Sequence, residues 1–404
     1  MNILSISPFP LFPPKDGASI GIYFRLKMLG ELGHKVYSFY PAPIDSFTGG
    51  KVLLKTEADG LDGAFGFRDK KFFKNALHPS IPFYCGRNSL DTGELDALKK
   101  FILDKKIGFV FIESTFSGEI YYRIKPVLDE NKIPRAFFSH NIDYRDFFNL
   151  FKDASNFFWK MYYLWESFKL YRYERRLFRE FKLIFSVSFD ETPVIAKASH
   201  GAEAVWVPSI IPVKNAEMSP AEKKSFQELE TSTKGKKVIL FTGIMDKSSN
   251  IRAARWFAKR VMPVLEKTVP NAEFWIVGKK PGEPVHSLAK PNIRVIADVP
   301  EIKPYFHRAD LVVVPIFNNA GIKIKLIEAL RFGKKIVSTT AGLYGSGLSD
   351  LIPAADNPRG FAARCADVLD GKVDFQTVLE KFNQIFDNRK IIADMDRKIK
   401  SVRE

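Results

Sequence analysis

One pattern constrains this chain more than any other: short apolar runs alternate with helical spacing, and the alternation runs twice. Residues 2–7 (NILSIS), 34–40 (HKVYSFY), 107–114 (IGFVFIES), 135–140 (RAFFSH), 182–188 (KLIFSVS) and 202–208 (AEAVWVP) read as strands. Between them, Ile20, Phe24, Met28 and Leu32 recur at helical spacing and Gly33 supplies a stop. Residues 118–131 read as a second helix. The stretch 209–236 is charged and Pro-containing with little periodicity, which reads as a connection. The pattern then restarts with strands at 237–243, 272–278, 292–298, 309–315 and 334–339, a helix from Asn250 to Thr268, and helical spacing after Asp356. Such alternation builds mostly parallel, doubly wound sheets. The expected organisation is α/β: a Rossmann-like domain over 1–208, a linker over 209–236, a second Rossmann-like domain over 237–380, and a helical segment over 381–404 packing back on the first domain.

A chain of 404 residues with 46% hydrophobic content is long for one core, which agrees with two domains. The formal net charge of +16 favours anionic partners without choosing among phosphates, nucleic acid and an acidic membrane face. Two distant cysteines, Cys85 and Cys365, build no disulfide framework, and the six histidines form no H-E-x-x-H pair. The start, MNILSISPFPLFPP, lacks a basic leader and reads as a strand. No apolar run approaches the roughly 20 residues that span a bilayer. These features predict a soluble, cytoplasmic protein.

The stretch 146–181 interleaves aromatics with lysines and arginines. One long helix there would set Phe158, Tyr162, Trp165 and Tyr171 beside basic residues. Two readings stand open. One is a core helix with a basic outer face. The other is contact with a membrane interface, where aromatic rings sit at headgroup depth beside Lys and Arg.

The segment VVVPIFNNAGIKIKLIEALRFGKKIVSTTAG, from Val312 to Gly342, carries the clearest chemistry. A strand ends at Pro315, a loop contains Gly321, and a helix begins near Ile322. A helix N-terminus offers unpaired N–H groups and partial positive charge, which suit a phosphate. Gly321 lets the backbone approach, Lys323 and Lys325 add full charges, and Glu328 follows about two turns in. A carboxylate can accept two hydrogen bonds from a ribose diol. The same spacing also suits an ordinary helix whose Lys and Glu face water.

AGIKIKLIEALRFGKKIVSTTAG resembles the nucleotide-binding signature of retaining GT-B glycosyltransferases, the group 1 or family 4 class, with Glu328, Ala329, Gly333 and Val337 in the matching places. ILFTGIMDKSSNIRAARWFAKRVMPVLEKTVPNAEFWIVG, NIRVIADVPEIKPYFHRADLVVVP, the N-terminal PFPLFPPKDGASIGIYFRLKMLGELGHKV, SHNID at 139–143, FSVSFDETPVIAK and VWVPSI resemble further blocks of that family, in family order. The resemblance implies two Rossmann-like domains facing a cleft. It implies that Glu328 binds the ribose hydroxyls and that Gly321, Ile322 and Lys323 hold the diphosphate with Lys325. Lys247 is a second cation, Gly243 closes the first strand, and Val299 meets the nucleobase through its backbone. Gly17 lets a loop approach the donor phosphates or the acceptor, and His140 sits near the transferred sugar. His140, Lys247 and Lys325 are the candidate catalytic residues.

A nucleoside diphosphate leaves as a stabilised anion. Its transfer needs preorganised cations and N–H dipoles rather than the opposed carboxylates of a glycosidase. The resemblance therefore implies a metal-independent, retaining transferase with no cofactor and a nucleotide-sugar donor, while the net charge and the aromatic–basic stretch fit a glycan or lipid-linked acceptor of surface polysaccharide synthesis. No recognised nucleic-acid-binding motif appears, so no nucleic-acid partner is expected, and the interfacial reading of 146–181 places membrane contact there, at the inner face. Three departures stand out: Ala320 where many members carry a glutamate, Ile244 where many carry arginine, and Ser209 at an asparagine position. They keep two alternatives open, an inactive GT-B-like scaffold at an anionic surface and a GT-B-fold nucleotide-sugar epimerase. Two decoys are set aside: Asp394 and Asp396 of "DMD", expected on a solvated helix face, and His307, expected at the surface.

Overall fold

The structure is a computed structural model describing residues 1–12, 14, 17–42, 54–55, 61–68, 78–211, 218–319 and 321–402. It divides into two compact units, Met1–Ile211 with Phe386–Glu404, and Pro212–Ile385.

The first unit is built on an eight-stranded sheet. Its strands are β1 (Asn2–Ile6), β2 (Lys35–Ala42), β3 (Leu54–Lys55), β4 (Gly63–Arg68), β5 (Phe109–Glu113), β6 (Arg135–Ser139), β7 (Leu183–Ser186) and β8 (Glu203–Trp206). The order is β3-β4-β2-β1-β5-β6-β7-β8, and only the β3–β4 pair is antiparallel. β5 is buried along its whole length, as a central parallel strand covered on both faces must be. Chain order reverses between β1 and β5, so the carboxyl ends of these two strands flank a crevice.

The second unit has a five-stranded sheet of β9 (Lys237–Ile244), β10 (Ala272–Lys279), β11 (Ile293–Ala297), β12 (Leu311–Val314) and β13 (Ile336–Ser338). The order is β11-β10-β9-β12-β13, all parallel, with the reversal between β9 and β12. Trp275, Phe241, Phe257 and Phe274 are fully buried in its core.

Several expectations need correcting. The stretch 209–236 is not plain connection: Pro220–Ser232 is a helix with a capping box between Ser219 and Glu222. Its end is tied down by Arg308, which donates to Thr233 Oγ1 at 2.6 Å and to the Lys236 carbonyl at 3.0 Å. The helix expected over Asn250–Thr268 runs as Ser248–Trp256, a π-helical turn at Phe257–Val261, and Met262–Leu265. The "DMD" aspartates part company. Asp394 is half-buried, but Asp396 is buried and accepts from His34 Nε2 at 2.9 Å, because the Asn388–Ser401 helix lies in the first unit against the helix Gly17–Glu31. His307 is half-buried, edge-on to Phe332 at 5.8 Å.

The 146–181 stretch forms two helices, Asp143–Asp153 and Phe157–Phe178, rather than one. The second is a core helix with a basic outer face in its later turns, where Leu170, Tyr173, Leu177 and Phe178 are buried and Arg172, Arg175 and Arg176 are exposed, but not in its first turns. Its inward side holds Glu166, Ser167, Lys169 and Glu174 beside Leu170, Tyr173, Leu177 and Phe178, while Phe157, Phe158, Trp159, Trp165 and Phe168 are exposed. The cause is polar anchoring from below. Glu166 accepts from the Phe83 amide at 2.9 Å, Ser167 donates to the Tyr144 carbonyl at 2.8 Å, and Glu174 accepts from the Asp143 amide at 2.7 Å.

Candidate functional site

Most candidate site residues of the second unit lie beyond the carboxyl ends of β9 and β12. Gly243 and Ile244 end β9, and a loop from Pro315 leads to the helix Ile324–Arg331. This helix starts two residues later than the sequence suggested, so Glu328 lies just over one turn inside it. Gly321 is buried with φ +53°, a left-handed conformation that only glycine adopts without strain. Ala320 falls outside the described residues. Lys323 is the N-cap residue, and its Nζ reaches the Gly321 carbonyl at 3.2 Å. Neither this helix nor Ser248–Trp256 has a side-chain cap, so both entrances keep first-turn amides available.

Lys325 turns inward from the first turn. Its Nζ donates to Asn250 Oδ1 at 2.6 Å and lies 4.3 Å from the centre of the Phe241 ring. Asn250 is held in turn, donating from Nδ2 to the Ile244 carbonyl at 2.9 Å. Burial brings the Lys325 ammonium down to about 7, with Lys323 adding to the depression and Glu328 opposing it. Gly243 is what lets these groups meet, since a Cβ there would stand 2.8 Å from Asn250 Nδ2 and 3.1 Å from Lys325 Nζ. Glu328 is half-buried and Ile322 likewise.

The other candidates in this unit are looser. Lys247 is exposed and serves the Ser248–Trp256 helix through its backbone, its carbonyl accepting from the Asn250 and Ile251 amides at 3.0 Å each. Val299 is half-buried two residues past β11. Its predecessor Asp298 has φ +48° and binds back to the Gly278 carbonyl at 2.8 Å, which turns the chain at the strand end.

In the first unit, His140 follows β6 and shares a small cavity with Gly17, Gly21, Arg25, Phe138 and Ser209. Its Nε2 is 3.0 Å from Glu113 Oε2. Glu113 ends β5, is fully buried, and pairs with the buried guanidinium of Arg25 while accepting from Ser5 Oγ at 2.9 Å. Burial raises the Glu113 carboxyl, yet Arg25 and His140 together more than offset it and leave it below the usual carboxylate range. Arg25 also stacks 3.6 Å over the Phe138 ring.

Three residues of these constellations are not evident from the sequence: Asn250, Arg25 and Glu113. A lone acid in the apolar run FVFIE is the available signal, since a buried carboxylate needs a cation. Among the described residues, no group of three His, Cys, Asp or Glu side chains could hold a metal ion.

Residues 236–371 match the family described as glycosyl transferases group 1. A Klebsiella pneumoniae protein, described as an uncharacterized 44.6 kDa protein in the cps region, is 26% identical over 361 residues, covering 86% of this chain and 84% of its own length. Anabaena HepE, solved in complex with UDP, superposes with TM-score 0.64 at 14% identity, covering 99% of this chain and all of its own. The UDP-forming alpha,alpha-trehalose-phosphate synthase of Burkholderia xenovorans, solved with glucose-6-phosphate, gives 0.65 at 13% identity, covering 98% and 99%. At such identities these two structures establish the fold, which is GT-B.

Proposed function

We propose, from the match of residues 236–371 to glycosyl transferases group 1 and from the GT-B fold, that this chain moves a sugar from a nucleoside diphosphate sugar to a hydroxyl acceptor. One observation carries the reading. Lys325 and Gly243 lie side by side where the second sheet reverses its strand order, with two uncapped helix entrances at the same strand ends. That is where an open α/β sheet collects a nucleotide, and anions bind at such entrances.

In this reading the amides at Gly321 and Ile322 hold the diphosphate with Lys323 and Lys325, and Lys247 adds a solvent-side cation. Glu328 accepts from the ribose hydroxyls, Gly243 leaves room for the sugar, and the backbone at Val299 meets the base. His140 and Gly17 line a cavity that we assign to the acceptor side. The Glu113 carboxylate accepts from Nε2 of His140, which leaves Nδ1 as an acceptor for a substrate hydroxyl. The bond from the anomeric carbon to the diphosphate oxygen breaks, and the acceptor oxygen bonds to that carbon with retention. The acceptor proton passes to the departing phosphate. The cations stabilise the negative charge that builds on the leaving group, with no protein nucleophile or metal. HepE was solved with UDP and the bacterial relative lies in a cps region. These support a UDP-sugar donor and a glycan or lipid-linked acceptor of surface polysaccharide synthesis, handled at the inner face of the membrane.

A donor screen with UDP-, GDP- and ADP-sugars, read by thermal shift and mass spectrometry, tests this. A matching donor at a hundredfold excess over its dissociation constant stabilises the fold by about 2.7 kcal/mol. Glu328→Ala should remove the shift. Binding without turnover on any acceptor would favour a scaffold, an isomerised sugar nucleotide would favour an epimerase, and no shift with any donor would defeat the proposal.

A further inference from the structure

The helix Phe157–Phe178 is amphipathic in the wrong sense for a monomer in water. Its outward face carries Phe157 at 69% exposure, Phe158 at 81%, Met161 and Trp165 at 42% each, and Phe168 at 50%. Helical spacing continues this face through Arg172, Arg175 and Arg179, all exposed. One stripe therefore runs from large apolar groups to arginines. The helix has two acids, Glu166 and Glu174, and both are buried on the opposite side. The adjoining Asp143–Asp153 helix adds exposed Phe148 and Leu150, with Lys152 4.7 Å from the centre of the Phe148 ring. Lys160 sits over Phe151 at 5.3 Å and Arg172 over Phe168 at 5.8 Å. A contiguous apolar patch of this kind, rimmed by cations, marks an interaction surface.

We propose that this stripe docks on the surface of an anionic phospholipid bilayer, with the Phe157 end inserted and the arginine end at the phosphates. Two features select a bilayer as occupant. The outward face of the Phe157–Phe178 helix offers no acid for a partner's cations and all its charge is positive, the exposed Asp153 lying on the neighbouring helix, on a chain of net charge +16. Its two halves also demand different media. From Met161 to Arg172 the helix rises about 16 Å at 1.5 Å per residue, so a tilted helix can bury its aromatic end about 5–10 Å deep while its arginines stay at headgroup level. The inward anchors at Glu166, Ser167 and Glu174 fix the rotation of the helix, so the aromatic face stays outward before any lipid is met. No helix among the described residues is long and apolar enough to cross a membrane, and docking asks for none. The inference stands apart from the nucleotide reading, because none of these residues belongs to the sites assigned there.

The test is co-sedimentation of the full chain with phosphatidylcholine vesicles and with vesicles containing about 30% phosphatidylglycerol (a composition chosen to give about the surface potential of an anionic leaflet). Binding is expected with the anionic vesicles, weakening as salt rises. The triple change Phe157→Ser, Phe158→Ser, Trp165→Ser should lower partitioning at least tenfold at every salt concentration. Arg172→Gln with Arg175→Gln should lower it about fivefold per arginine and flatten the salt dependence. Circular dichroism and the UDP thermal shift should match wild type in both variants, which separates lost docking from lost folding. Three results would overturn the proposal: no co-sedimentation of the wild-type chain with anionic vesicles, variants that sediment as well as wild type, or a dimer in light scattering that the triple change dissociates while vesicle binding is unaltered.

Discussion

If Lys325 holds the donor as proposed, binding should depend on pH in a direction that follows from its surroundings. In the free protein its ammonium titrates at about 7, because burial disfavours the charge, Lys323 repels it and Glu328 only partly compensates. A diphosphate beside Nζ acts the other way, since an adjacent anion favours the charged form. At 4 Å and an effective dielectric constant near 20, one such charge is worth about 4 kcal/mol, which tightens the hold on the proton about a thousandfold. The pKa in the complex therefore returns towards the ordinary lysine range. Below pH 7 the lysine is already charged and affinity is flat. Between about pH 7 and the pKa of the complex, binding takes up one proton, and affinity falls by up to tenfold per pH unit, or about 1.4 kcal/mol. The ligand should be a UDP-sugar such as UDP-glucose, whose substituted diphosphate does not titrate in this range. Calorimetry at pH 6 to 9, in buffers of different ionisation enthalpy, counts the protons directly. The expected uptake is near zero at pH 6, rising towards one at pH 8.5, and it disappears in Lys325→Met. Tight binding at pH 8.5 with no proton uptake, or an unchanged slope in Lys325→Met, would refute the assignment. The ligand-free protein shows the mirror effect. A lysine whose folded pKa is depressed lets the unfolded chain hold more protons between about pH 7 and 10.5, so stability rises with pH across that window.

Further outcomes follow from single contacts. Glu113→Gln leaves the buried Arg25 without its counter-charge and should cost about 3–5 kcal/mol, read as a lower melting temperature, whereas Arg25→Met with Glu113→Leu should recover most of the loss. The Glu113 contribution is present above the ordinary glutamate pKa of about 4.3 and disappears as pH falls through its depressed folded value, which acid titration of the melting temperature will show. Gly278→Ala should damage the fold itself, because its Cβ would stand 1.8 Å from the Gly243 carbonyl oxygen. Gly243→Ala meets only the ends of the Asn250 and Lys325 side chains, so melting should change little while donor affinity drops at least tenfold. Asn250→Asp puts a carboxylate against Lys325 Nζ, raising its pKa and moving the break in UDP-glucose affinity to higher pH, at the expense of affinity below pH 7.

The parallel strands are legible because strands covered on both faces read as unbroken apolar runs, as KVILFTG of β9 and LVVV of β12 do. Residues 41–106 are harder to read. Strand β4, GAFGFR, is interrupted by glycine and gives no apolar run. The helix Thr92–Asp104 does carry a local signal, the capping box of Asp91 and Glu94, though strand alternation does not reveal it. In the candidate site, Gly321 and Lys325 are legible because glycine and lysine at a helix entrance have a local meaning. Asn250 is not, since its partner lies 75 residues away. The 157–178 helix is only half legible: Leu170, Tyr173, Leu177 and Phe178 do join the core, but the aromatics of its first turns do not. Its rotation is set by Glu166 and Glu174 accepting from the Phe83 and Asp143 amides and by Ser167 donating to the Tyr144 carbonyl, partners distant in sequence.

Both sheets set polar groups where their strand order reverses, and the electrostatics of the two places differ in what an added anion would meet. In the first unit the reversal between β1 and β5 is filled from within: Arg25 meets the Glu113 carboxylate, and Ser5 and His140 complete the remaining hydrogen bonds of that carboxylate. A guanidinium neutralised this way gains little from a phosphate and would have to give up a buried pair to bind one. In the second unit the cation at the reversal between β9 and β12 has a neutral amide oxygen as its hydrogen-bond acceptor, that of Asn250, and burial has brought it to the edge of deprotonation. An anion delivered there restores the charge, takes the hydrogen bonds of two uncapped helix entrances, and displaces no ion pair of Lys325. In the proposed reaction the free-energy gain from a diphosphate is therefore expected in the second unit, and His140, already bonded to an internal carboxylate, serves as an oriented hydrogen-bonding group.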